Sequence, residues 1–239
     1  MHYWSMKIRI NKFLAERGVA SRRKVDSLIE QGLILVNGEL AENGMQVDEN
    51  DAILVNGEAV NMRKPKSIYI ALNKPVGLIT SVDPLTRDNV IDHIGLNTRI
   101  FPIGRLDVAS QGLLLLTNDG ELSERVTHPR YYHEKEYIVR VDREISDDDL
   151  EVMRNGMMIL GSLTKSAKVV RLDLDCFRIT LTEGRNRQIR RMCEQLGYRV
   201  KMLQRIRVMN IELGDMALGE WRFLEEGEIS ELKKSLGLI

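Results

Sequence analysis

Asp107 follows Arg105 by two positions within FPIGRLDVASQGLLLLTNDGEL, residues 101–122. If 101–106 is an extended strand ending at the acid, the two side chains face the same side. A cation beside a carboxylate favours its ionised form, which a nucleophile needs. Gly112 would let the following strand pass close by, leaving room for a wide aromatic substrate to reach the acid. The same Arg-x-Asp spacing also serves structural salt bridges and turn caps, so alone the pair fits both readings.

Two further segments could act with it. Tyr137, in HEKEYIVRV, is expected mid-strand in a chain whose aromatic content is only 5%. A flat ring with a polar tip suits stacking on an extruded base, although a half-buried core tyrosine has the same signature. In ITLTEGRNRQIRRMCEQLG, the spacing of Ile189, Met192, Cys193 and Leu196 gives the core stripe of a helix over 187–196. Arg187, Arg190 and Glu194 then share an adjoining face, with Arg191 to one side. Arginines at a strand-to-helix junction can serve a carboxylate and phosphates together. Arg185, Arg187 and Arg191 are the candidate phosphate contacts here.

These residues need a scaffold. The pattern predicts strands over 68–72, 101–106, 113–117, 136–141, 168–172, 177–182 and 198–203. Helices are expected from Glu121, after an N-cap at Ser146, over 187–196 and after Gly227. Many strands with hairpin-length connections and fewer helices indicate an α+β domain with a mixed, largely antiparallel sheet. Ahead of it, residues 10–18 read as a short helix. Ser21 caps a second, striped by Val25, Leu28 and Ile29. Asn37-Gly38 and Asn56-Gly57 lie between short β-prone runs and signal hairpins. We therefore expect a small module at 7–63, a linker at 64–67 and a catalytic domain at 68–239.

The chain has 35 basic and 35 acidic side chains, a formal net charge of zero. Their distribution is uneven. Residues 1–30 hold seven basic groups (Lys7, Arg9, Lys12, Arg17, Arg22, Arg23, Lys24) against three acids, and residues 31–60 hold no Lys or Arg and six acids. Residues 178–207 carry nine basic groups against Glu183 and Glu194. Such positive blocks are the footprint of a polyanionic partner, or of solvated faces that average out. Arg22, Arg23 and Lys24 open a helix at the end whose dipole and free N–H groups already favour phosphate.

Other classes fit poorly. Cys176 and Cys193 lack CxxC spacing, and His2, His93, His128 and His133 lack ligand spacing, so no metal site is expected. The cysteines read as small core residues in a reducing compartment. No glycine-rich turn of the dinucleotide or S-adenosylmethionine type and no GKT/GKS loop is visible, so no cofactor is expected. No apolar run approaches the ~18–20 residues of a membrane span, and Met1–Lys7 lacks a signal-peptide stretch. A monomeric cytoplasmic protein is expected.

The segment RINKFLAERGVASRRKVDSLIEQGLILVNGELA, with SRR, LIEQG and VNG in order, resembles the αL RNA-binding domain of a small-subunit ribosomal protein. That resemblance covers about residues 8–55 and implies RNA binding through Lys12, Arg17, Arg22, Arg23 and Lys24. GRLD, HEKEY and RNRQIRRMCE, with YIALNKPVG and LGEWR, resemble the RsuA-type pseudouridine synthases, in wording closest to the RluF branch. This similarity runs over nearly the whole chain. It implies that Asp107 is the catalytic nucleophile with Arg105 its neighbour, that Tyr137 stacks on the target base, and that Arg190 pairs with the carboxylate. It also implies a structured RNA substrate, ribosomal and of the large subunit, with tRNA as an alternative. One departure is that the chain stops at Ile239 without the long basic tail some relatives carry, which leaves open any RNA contact or target preference that depends on such a tail.

Overall fold

A computed structural model describes residues 7–239, which fall into two compact units divided between Ser67 and Ile68. Readings placed on Met1–Met6, including His2 and most of the leader reading, lie outside the described residues.

In the first unit, helices Ile10–Glu16 and Arg22–Glu30 bury Ile10, Phe13, Leu14, Val25, Leu28 and Ile29 against Ile34, Val36, Val47 and Ile53. Apolar residues three and four apart leave one stripe per helix to cover, and the sheet covers both. Ser21 caps the second helix by accepting from the Lys24 backbone N–H at 3.2 Å. The sheet order is Glu39–Leu40, Ile34–Val36, Ile53–Val55, Glu58–Ala59. Asn37-Gly38 and Asn56-Gly57 each form a two-residue turn with positive φ at both positions. That geometry matches the twist of the flanking strands and is why Asn-Gly is favoured there.

The second unit is built on one long sheet. Its main path runs Lys168–Asp173, Cys176–Leu181, Lys135–Val141, Val200–Val208, Gln111–Thr117, Tyr69–Lys74, Trp221–Phe223. All these pairings are antiparallel except Val200–Val208 with Gln111–Thr117, which is parallel over Gln204↔Gln111 and Arg205↔Gly112. Helices Asp147–Asn155 and Gln188–Gln195 contribute Leu150, Met153, Ile189, Met192 and Cys193 to a core over the Lys135–Val141 side. Ser146 caps the first of them through the Asp149 N–H at 3.1 Å. A second core, with Leu113, Leu115, Leu122, Val126 and Leu232, lies over the other half. Burying one such side chain stabilises by roughly 1.5–3 kcal/mol, enough to hold each helix to its sheet.

Several boundaries differ from the expectation. The expected strand over 101–106 ends at Pro102, because Gly104 turns the chain with φ +75°. Arg105 and Asp107 therefore lie in a loop, and the same-face argument for a strand does not apply to them. The strand expected at 198–203 is Val200–Val208, and the last helix, Glu226–Ser235, begins one residue before Gly227. Strand Trp221–Phe223 and helix Val90–Ile94 are additions that the sequence pattern does not predict. No helix among the described residues is long and apolar enough to cross a membrane.

Candidate active site

Asp107 is half-buried in the loop between Gly104 and Ser110, and that loop is held from several sides. Thr80 Oγ1 donates to the Leu106 carbonyl at 2.9 Å and accepts from the Leu106 N–H at 3.4 Å. Gly77 N–H donates to the Val108 carbonyl at 2.9 Å, and Ser110 N–H to the Asp107 carbonyl at 3.0 Å. Arg190 Nη2 donates to the Ala109 carbonyl at 2.7 Å and to Ser110 Oγ at 3.2 Å. Leu106 and Ser110 are buried, anchoring the loop on both sides of the acid. A loop held this way fixes the backbone that carries the acid before a substrate arrives.

The acid opens into a cleft of about 210 Å³ that it shares with Arg105, His133, Lys135, Tyr137, Arg187, Ile189 and Arg205. Lys135 and Tyr137 are two apart on strand Lys135–Val141, so they share its cleft-facing side. The register shifts between Glu136, opposite Arg207, and Tyr137, opposite Arg205. Bulges of this kind re-aim side chains beside active sites. Gly112 is needed where the parallel strands meet. A Cβ there would lie 2.3 Å from the Arg205 carbonyl oxygen, and φ is +102°. The strand that passes close to Gly112 is thus Val200–Val208, not the one that follows it in the chain as expected.

The electrostatics differ from the Arg105–Asp107 and Arg190–Asp107 pairings expected. Neither arginine closes an ion pair within 4 Å of Asp107 among the described residues. Arg105 is exposed at the cleft, and its guanidinium has no hydrogen bond or ion pair among those residues. Arg190 is buried and spends its bonds on the turn beyond the acid, with Nε unpartnered. Burial and neighbouring Arg187 draw its pKa down, while attraction to Asp107 opposes this. A guanidinium still holds its proton, so Arg190 acts on the acid as a charge at a distance. Lys74, fully buried, is a second such charge. Burial lowers its pKa to about 8 against the pull of Asp107, and Nζ donates to the Pro75 and Leu78 carbonyls at 2.8 and 2.7 Å.

Three cleft or sub-loop cations escape the sequence pattern: Lys74, Lys135 and Arg205. Burial, reinforced by Arg205, lowers the Lys135 pKa to about 8. Arg205, itself buried, donates from Nε to the Leu113 carbonyl at 2.6 Å, and its Nη2 has no partner among the described residues. Their common signal is a cation on the inward side of an apolar strand, as in YIALNK. The cysteines are buried; Cys193, enclosed in the core, has its thiol pushed up to about 12. No group of three or more His, Cys, Asp or Glu among the described residues could hold a metal ion.

The basic residues divide into two sets. Arg22, Arg23 and Lys24 are exposed at the start of their helix, with no side-chain partner among the described residues. Lys12 is only loosely engaged, 3.8 Å from Glu16. Arg17, in contrast, is turned inward. It lies 3.3 Å over the Phe13 ring, donates to the Met62 carbonyl at 3.0 Å and meets Glu49 at 3.2 Å. Arg185 is likewise tied to Ser162, Leu163 and Glu183, and Arg191 to Asn186. These three arginines are engaged within the protein in this structure, a feature that their reading as phosphate contacts did not include. Arg187 remains exposed at the cleft, in a left-handed conformation ahead of helix Gln188–Gln195.

Comparison with known proteins agrees with this geometry. The RNA pseudouridylate synthase family matches residues 68–195, and the S4 domain matches residues 8–53. The chain is 46% identical over 228 residues to the dual-specificity RNA pseudouridine synthase RluF of Escherichia coli strain K12, covering 95% of this chain and 79% of that protein. It is 38% identical over 234 residues to ribosomal large subunit pseudouridine synthase B of Bacillus subtilis strain 168, covering 94% and 95%. A crystal structure of pseudouridylate synthase superimposes with a TM-score of 0.70 at 31% identity, covering 94% of this chain and 99% of that one. With its S4 domain and a loop-borne aspartate at the mouth of a cation-lined cleft, the chain belongs to the RNA pseudouridine synthases, an isomerase family.

Proposed function

We propose that the enzyme isomerises a uridine of large-subunit ribosomal RNA, with Asp107 as the catalytic carboxylate. The observation that carries the site is the Gly104–Ser110 loop, pinned on both sides of a carboxylate that has no hydrogen-bond partner among the described residues. The choice of RNA is supported by the relatives, one of which is named for the large ribosomal subunit.

The target uridine leaves its stack and enters the cleft, its ring against Tyr137. Asp107 assists cleavage of the bond between N1 and the ribose, either as a nucleophile on base or sugar or by aiding departure of uracil. The uracil turns and rejoins the same ribose carbon through C5. C5 gives up its proton to solvent and N1, freed from the ribose, gains one, so atoms and electrons balance without an added reagent. Lys74 and Arg190 set positive charge toward the acid, and Arg205 adds a further cation to the cleft lining. Arg22, Arg23 and Lys24 grip the folded RNA by its phosphates. On this reading the enzyme works in the cytoplasm as a monomer. A tRNA as second substrate is a further reading, favoured by the term dual-specificity in the names of relatives.

The test is tritium release from C5-labelled large-subunit rRNA and from labelled tRNA, followed by mapping of the new pseudouridine. Release from the rRNA at one position is expected. Release from tRNA alone would overturn the choice of substrate.

A further inference from the structure

The segment His128–His133, HPRYYH, brings two tyrosines and two histidines together in a chain with few aromatic residues. Little of it serves the core. His128, Pro129 and Tyr132 are exposed, and none of its rings belongs to a described core cluster. Its position is informative: His128, Pro129 and His133 line the same cleft as Asp107 and Tyr137, which puts Tyr132 next in the chain to a residue of the cleft wall.

Its rings are ordered against each other. Tyr131 and His133 stack with centroids 5.7 Å apart and planes inclined by 13°. His128 meets Tyr131 edge-on at 6.1 Å. The Arg130 guanidinium lies 4.6 Å over the Tyr131 ring and donates to its hydroxyl at 2.6 Å. Lys165 Nζ lies 3.6 Å over the ring of Tyr132, which is 59% exposed. Tyr132 adopts φ +56°, a left-handed conformation that side chains other than glycine adopt at a cost. That cost is not recovered by burial of the ring.

We propose that His128–His133, with Lys165, is a stacking shelf for a nucleobase beside the target uridine, and that Tyr132 is its receiving ring. The inference rests on the reading of the cleft as the place where an RNA nucleotide is turned out. Extruding one base leaves its neighbours with uncovered faces, and an exposed aromatic one residue from the cleft wall can cover one. Stacking accepts any base, while Arg130 and Lys165 supply positive charge for the adjoining phosphates. The shelf would thus position the strand without reading its sequence.

The test uses the full-length enzyme with C5-tritiated large-subunit rRNA transcript and, in parallel, C5-tritiated tRNA. Tyr132→Ala should raise KM at least about five-fold on the RNA that reacts, with kcat changed far less. Tyr132→Phe, which keeps the ring, should restore KM to within about two-fold. An abasic site adjacent to the target should raise KM for the wild type but add little for Tyr132→Ala. Equal KM for wild type and Tyr132→Ala would overturn the shelf, as would full additivity of variant and abasic site. Thermal melting of each variant identifies a fold defect. If melting of Tyr132→Ala falls, the comparison of Tyr132→Phe and Tyr132→Leu decides, with Leu expected to lose affinity and equal KM values counting against the shelf. Reaction with tRNA alone would reject the choice of rRNA and leave the shelf to be judged on tRNA.

Discussion

Arg190 Nη2 donates to the carbonyl oxygen of Ala109 at 2.7 Å, two residues beyond Asp107. The arginine thus braces the turn that follows the acid while its charge acts on the acid from more than an ion-pair distance. Bracing and charge can be separated experimentally. Arg190→Lys keeps a cation but loses the fork that reaches both Ala109 and Ser110. We expect kcat to fall at least about ten-fold with KM within about three-fold, the pattern of a group needed more at the transition state than for binding. Steady-state tritium release checks this, and an unchanged kcat would assign Arg190 to charge alone.

Asp107→Asn removes the carboxylate charge with almost no change in shape. Because the carboxylate has no protein hydrogen bond to lose, Tm should stay within about 2 °C. RNA affinity should remain within a few fold, while pseudouridine formation falls by roughly three orders of magnitude or more. Retained activity would mean that another group does the chemistry.

In the S4 domain, Arg22→Ala with Arg23→Ala should weaken RNA binding. The slope of log K against log salt should shrink by about one for each phosphate no longer neutralised. Melting should be unaffected, since both side chains are exposed and unpartnered among the described residues. Arg17→Ala should do the reverse. Its guanidinium covers Phe13 and holds the Met62 carbonyl, so its removal should destabilise the module by about 1–3 kcal/mol. Urea melts and salt titrations of the two variants distinguish the roles.

Cys193 should make stability pH-dependent in alkali. Its native thiol is pushed up to about 12 by burial, against an ordinary value of 9.0. Between these values the unfolded chain loses a proton that the folded one keeps. The contribution is therefore complete below pH 9 and is lost as pH rises towards 12. The drop in urea midpoint from pH 8 to pH 10.5 should be larger in the wild type than in Cys193→Ala. Equal drops would mean that the thiol ionises as easily in the native protein.

The parts of this molecule legible in its sequence are those decided locally. Asn37-Gly38 and Asn56-Gly57 specify their turns by their own backbone preferences, and Ser21 and Ser146 cap their helices within three residues. The apolar stripe of helix Gln188–Gln195 is visible for the same reason. Asp107 itself is found through the GRLD resemblance. Its setting is not, because Gly104 breaks the strand and Thr80, 26 residues before Leu106, grips the loop. Nor does composition distinguish Arg17 and Arg185 from Arg22. Which guanidinium turns inward depends on where Met62, Ser162 and Leu163 arrive in the folded chain. Lys74, Lys135 and Arg205 escape notice on the same account, since strand pairing decides which face of each is enclosed.

The parallel seam joins Gln111 and Gly112 to Gln204 and Arg205, residues more than 90 positions away along the chain. On one side of it stands the loop of Asp107, and on the other the strand pairing that presents Tyr137. Loop-closure entropy must be overcome before such a distant pairing returns any stabilisation. During synthesis, then, a nascent polypeptide can complete its S4 domain and touch RNA long before residue 204 has emerged, whereas the reactive centre has no second wall until that late strand docks. Recognition matures early and chemistry late, in an order written into the strand arrangement.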